Sequence, residues 1–140
     1  METHGKSLEY KRRKVMNMTE QNLPTNAEVN QFLMLRELVT GLYEEMKDLT
    51  KKSSKETLNE FKIKSLNRVL KPLKDLLKDQ PTAMFLDLLE DDSLPTNSDV
   101  VIILSQYLTA MQKYEDRYRK KDPSRHVIRW NTKEDPIEIK

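Results

Sequence analysis

From Asn26 to Thr50, Phe32, Leu35, Val39, Leu42, Met46 and Leu49 follow one another at alternating spacings of three and four residues. That spacing draws one apolar stripe along an α-helix, as in a bundle or coiled-coil seam. Leu38 and Tyr43 widen the stripe, which predicts packing against more than one neighbour. Gly41 costs about 1 kcal/mol relative to Ala in a helix interior, so it predicts the close approach of another helix. A second stripe is Ile63, Leu66, Leu70, Leu73 and Leu77, in a helix expected from Ser54 to Asp79 with Ser53 and Glu56 as a capping box. Pro72 lies inside it and predicts a kink, or two helices meeting at Lys71-Pro72. Pro81-Thr82 opens a short helix carrying Met84, Phe85, Leu88 and Leu89, closed by Glu90-Asp91-Asp92-Ser93. The last helix is expected from about Ser98 to Lys121. Val100 to Leu104 is apolar all round and predicts a buried first half. Tyr107, Met111, Tyr114 and Tyr118 then continue one stripe, with Glu115 to Arg119 and Asp116 to Lys120 as outer ion pairs.

The two longest helices share an opening phrase. Leu23-Pro24-Thr25-Asn26-Ala27-Glu28-Val29 returns as Leu94-Pro95-Thr96-Asn97-Ser98-Asp99-Val100. Pro ends the preceding segment, Thr or Asn accepts from free N–H groups of the first turn, and the acid sits at the positive end of the helix dipole. An old duplication and two independently chosen caps both account for the phrase.

These elements predict an all-α chain: a four- to five-helix bundle over residues 23–121, a disordered basic tail over 1–22 and an extended tail over 122–140. Met16 and Met18 are alternative starts within the first tail, and Lys11-Arg12-Arg13-Lys14 reads as a nuclear address, a nucleic-acid arm or ordinary tail charge. In the second, His126 to Trp130 and Asp135 to Lys140 are short extended stretches that either pair as a hairpin or order on a partner.

Composition removes most chemistry. The 140 residues include no Cys, two His and two Gly, with 34% charged. Thiolate metal sites, Cys nucleophiles and Gly-rich phosphate loops therefore lack their parts. Glu44, Glu45 and Asp48 form no di-metal site, because no Glu-x-x-His pair exists in the chain. The acids at Glu90 to Asp92 lack the alternation and Gly of a calcium loop. The expectation is no enzyme, no cofactor and no metal. No apolar run suits a signal peptide or a membrane span, so a cytoplasmic protein is expected, or a nuclear one in a eukaryote.

Net charge is +2, yet Lys51 to Lys78 carries nine basic and three acidic residues, whereas Asp79 to Asp99 carries six acidic and none basic. Lys64, Arg68, Lys71 and Lys78 share one helix face, read either as a solvated face or as an anion-binding surface. Two functions follow from these features. The first is a small helical interaction or regulatory protein that binds a protein partner, or itself, through Tyr107, Tyr114, Tyr118 and Trp130, since aromatic anchors beside arginines dominate interfaces. On that reading a chain cut after Lys121 keeps its helices and loses its partner. The alternative is a nucleic-acid accessory protein that contacts phosphates non-specifically through Lys64, Arg68, Lys71 and Lys78. A helix-turn-helix around Asp92 to Asn97 is excluded, because the following helix opens with apolar residues. No small-molecule substrate is evident.

Overall fold

The computed structural model describes residues 22–138. The basic stretch at Lys11 to Lys14 and nearly all of the expected N-terminal tail lie outside them. Helix α1 (Asn26–Ser53) is followed by α2 (Glu60–Leu76), a 3-10 turn (Pro81–Phe85), α3 (Asn97–Tyr118), β1 (Arg119–Asp122) and β2 (Val127–Trp130). The described chain is thus mainly helical, with three α-helices and a two-stranded antiparallel ribbon. The expectation of an all-α, four- to five-helix bundle is corrected by this element count.

Both copies of the repeated phrase start helices by the same device. The Glu28 N–H donates to the Thr25 hydroxyl at 3.1 Å, and the Glu28 carboxylate accepts from the Thr25 N–H at 3.3 Å. Thr96 and Asp99 repeat the exchange at 3.1 and 3.0 Å. These are reciprocal capping boxes, with Thr as the cap in each.

The missing helices have causes in identified hydrogen bonds, made with partners distant in sequence. Residues 54–59 do not continue into α2, because their backbone is taken by the second phrase: the Leu58 N–H donates to the Pro95 carbonyl at 2.9 Å and the Asn97 N–H to the Glu56 carbonyl at 2.8 Å. Asn59 then caps α2, its side chain accepting from the Lys62 N–H at 2.9 Å. Pro72 is carried inside one continuous helix. After Phe85 the chain runs irregularly, and Leu86 and Leu89 are buried without a strand partner. Their segment is gripped by side chains instead. The Asn67 amide donates to the Leu89 carbonyl at 2.8 Å and accepts from the Leu89 N–H at 3.0 Å, while the Tyr107 hydroxyl donates to the Asp87 carbonyl at 2.8 Å. Buried backbone polar groups need such partners when no sheet supplies them.

The described residues form two compact units. In the first, residues 30–117, the buried side chains are Phe32, Leu35, Val39 and Met46 of α1, the Ile63 to Leu77 stripe of α2, and Val100, Leu104, Tyr107, Met111 and Tyr114 of α3. Phe32 stacks on Tyr114 with ring centroids 4.8 Å apart, and Arg36 of α1 pairs with Glu115 of α3. The opening of α3 is not apolar core throughout, since Ile102 is exposed.

The second unit joins residues 22–29 to 118–138. The ribbon pairs Arg119 with Trp130 and Asp122 with Val127. Residues 119–121, expected as the last helical turn, are therefore strand. The Lys133 N–H donates to the Pro24 carbonyl at 3.0 Å, the Asn131 N–H to the Tyr118 carbonyl at 2.7 Å, and the Asn26 N–H to the Glu134 carboxylate at 2.8 Å. Leu23, Val29, Tyr118 and Ile137 are buried. Residues 123–138 are folded structure tied to the N-terminal segment, so the expected extended tail is corrected as well.

Candidate interaction surfaces

The tyrosine stripe is core. Tyr107, Tyr114 and Tyr118 are 0, 3 and 1% exposed. Burial of Tyr107, and secondarily the charge of Asp87, raises its hydroxyl well above the ordinary tyrosine pKa. These three residues offer a partner no surface in this fold, and the interface expected at them is corrected on that ground. The periodicity was that of a core-facing stripe, with the Tyr107 hydroxyl satisfied internally rather than by water. Trp130 is half-buried on β2, and the register sets it on one ribbon face with Arg119, Lys121 and Ile128.

The opposite ribbon face holds an ionic cluster. Asp122 is buried at the mouth of the Pro123 to His126 turn, where its carboxylate accepts from the Ser124 hydroxyl at 2.7 Å, the Arg129 guanidinium at 2.7 Å and the Ser124 N–H at 2.9 Å. The Ser124 hydroxyl and Arg129 hold its pKa far below the carboxylate range, more than offsetting burial. Arg125 reaches Asp135 in a two-pronged bond at 2.8 and 2.9 Å, and Arg129 donates to the Asp135 carbonyl at 2.7 Å. His126 closes the turn at φ 56°, in the left-handed region. Asp122, Arg125, Arg129 and Asp135 are thus paired with one another, which ties the turn to the segment around Asp135. Removing residues after Lys121 would delete this cluster together with β2 and leave all three described helices in the chain.

The basic face expected on the second helix is exposed as a whole. Lys64, Arg68 and Lys71 lie along α2 and Lys78 just beyond its end. Lys78 approaches Asp75 at 3.9 Å, and for the other three no carboxylate lies within 4.0 Å among the described residues. The sequence reading missed one neighbour: Phe61, three residues before Lys64, is 77% exposed and sits at the start of this face. The signal was available, since Phe61 falls outside the apolar stripe of its own helix.

On α1, Met34 and Leu38 are 56 and 47% exposed one turn apart, with Leu42 half-buried one turn further on. Leu38, expected to widen the packing face toward a further neighbour, is thus an exposed residue. At Gly41, where the close approach of another helix is expected, an added Cβ would meet nothing within 4 Å among the described residues. Exposed Glu37, Glu44, Glu45 and Asp48 rim the same side.

No group of three or more His, Cys, Asp or Glu able to hold a metal ion occurs among the described residues, and no helix among them is long and apolar enough to cross a membrane. No protein-family model, curated protein or solved structure matches this chain.

Proposed function

We propose that this chain is a small non-catalytic interaction protein whose working surface is the outer face of α1. The observation that carries the reading is the pair Met34 and Leu38, large apolar side chains left in water one turn apart and rimmed by acids. Clustered apolar exposure with a polar border is the composition of a binding surface, whereas single exposed apolar residues are ordinary. A photocrosslinking benzoylphenylalanine at Leu38, with Gln112 on the exposed side of α3 as control, tests the site in the cells that make the protein. A discrete protein adduct at position 38 and not at 112 is expected. The same adducts from both positions, or none, would refute the placement.

A second reading, a nucleic-acid accessory protein, is favoured by one observation, the exposed Phe61 beside Lys64, Arg68 and Lys71. An aromatic ring at one end of a basic face supplies base stacking next to phosphate contacts. Anisotropy of labelled mixed-sequence DNA and RNA should then weaken log-linearly with salt and vanish on neutralising the three bases. No binding even at low salt would retire this reading.

A further inference from the structure

We infer that the α1 face docks the α2 face of a second copy of this chain, so that the protein self-associates through two different helices. The inference rests on the protein-binding reading and names its partner. Two exposed faces of the unit formed by residues 30–117 match in spacing and complement each other in character. On α1 the series is Met34, Glu37, Gly41 and Glu44; on α2 it is Phe61, Lys64, Arg68 and Lys71. All eight residues are exposed, and both series step by three, four and three.

Such steps keep each series on one side of its helix. Laid parallel, the two helices bring Met34 against Phe61, Glu37 against Lys64 and Glu44 against Lys71. Gly41 then faces Arg68, the bulkiest of the four α2 residues after Phe61, and its missing side chain leaves the guanidinium stem room to lie on the helix backbone. That gives a mid-helix glycine a use which nothing among the described residues provides, since its surroundings there are open. The antiparallel arrangement is worse, because it sets Met34 against Lys71 and Glu44 against Phe61 and keeps only one opposite-charge pair. Leu38, half-exposed between the Glu37 and Gly41 positions, adds apolar area to the seam.

The match also has an end. One turn beyond Glu44, Asp48 would oppose Asp75, so like charges confine the contact to about 15 Å of helix. A seam of that length is small for a protein interface, so the association is weak and depends on its charges. It is also heterologous: the surface used on one copy differs from that used on the next, and the same contact either closes on itself or repeats along a chain.

The test is analytical ultracentrifugation of the full chain with two charge-reversed variants, E37K/E44K and K64E/K71E, whose folding is followed by far-UV circular dichroism. In low salt the average mass of the natural chain should rise between about 10 µM and 1 mM, a rise suppressed at about 0.5 M salt where surface charges are screened. Each variant alone presents like charges across the seam and should stay monomeric. Mixed in equal amounts they present opposite charges again, and association should return. A natural chain that remains monomeric throughout, a variant that associates alone, or a mixture that stays monomeric would overturn the inference. If the chain is monomeric yet position 38 crosslinks a different protein, self-association fails while the protein-binding reading stands. If it is monomeric and position 38 crosslinks no protein, both fail.

Discussion

The Asn67 amide of α2 makes two hydrogen bonds to the Leu86 to Leu89 segment, and replacing that amide measures how much of the fold depends on them. In Asn67→Leu the Leu89 carbonyl loses its donor at 2.8 Å and the Leu89 N–H loses its acceptor at 3.0 Å. Each hydrogen bond is worth about 1 kcal/mol net, and a buried backbone group left unpaired costs about 1–3 kcal/mol. The loss has an upper limit of about 3.5–5 kcal/mol, because the segment can peel away, giving up both bonds and about 1.5–3 kcal/mol of Leu89 burial, rather than stay with unpaired groups. The expected destabilisation is about 2–4 kcal/mol. With a urea slope of about 2 kcal/mol per M, the unfolding midpoint followed by circular dichroism should fall by roughly 1–2 M. Asn67→Asp separates the two bonds. It keeps an acceptor for the Leu89 N–H but turns a carboxylate oxygen toward the Leu89 carbonyl, so at neutral pH it should be at least as damaging as a one-bond loss. Near pH 3 the protonated carboxyl donates again, and the deficit relative to the natural chain at the same pH should shrink. A change below about 0.5 kcal/mol in Asn67→Leu, or a pH-independent deficit in Asn67→Asp, would show that the segment is held by something other than this amide.

Four further outcomes follow from the geometry. Tyr107→Phe removes the bond to the Asp87 carbonyl and should cost about 1 kcal/mol in urea unfolding. Because the folded tyrosine has a raised pKa, its stabilisation is complete below the unfolded value of about 10 and is lost as pH rises beyond it; the natural chain should therefore lose more stability than Tyr107→Phe in a titration above pH 10. Asp122 has a lowered pKa, so its contribution is present above the unfolded value of about 3.9 and is lost as pH falls below it. The melting midpoint of the natural chain should drop between about pH 4 and pH 2 toward that of Asp122→Asn, which should change less over that window; parallel curves would refute the role. Thr25→Ala and Thr96→Ala should each cost about 1 kcal/mol and be additive, since each removes one capping box in a different helix. Gly41→Ala should stabilise the chain by about 0.5–1 kcal/mol in thermal or urea unfolding, because the added methyl meets open space and restricts the unfolded chain.

What the sequence determined by itself is whatever depends on neighbours along the chain. The repeated Leu-Pro-Thr-Asn phrase fixed the starts of α1 and α3, because a capping box is a conversation among four consecutive residues. The stripes through Phe32, Val39, Ile63 and Leu70 fixed which sides of α1 and α2 are buried, because an apolar period of 3.6 leaves a helix little choice. The exposed basic face of α2 followed from the same period. Other features were decided by partners distant in sequence. Residues 54–59 carry a helix-start pattern, yet their backbone pairs with Pro95 and Asn97 some 40 residues away. Lys120 and Lys121 extend a helical pattern, yet pair with Arg129 and Ile128 as strand. The tyrosines of α3 read equally well as an interface or a core edge, and only the packing of Phe32 on Tyr114 and the Asp87 carbonyl at the Tyr107 hydroxyl decided for the core. Likewise Gly41 announced a close approach, and the fold shows that no part of the unit around it makes that approach. Local pattern states which residues can be buried; whether a second surface arrives to bury them is settled only when the chain closes on itself, because burial is a property of pairs of surfaces and not of a stretch of sequence.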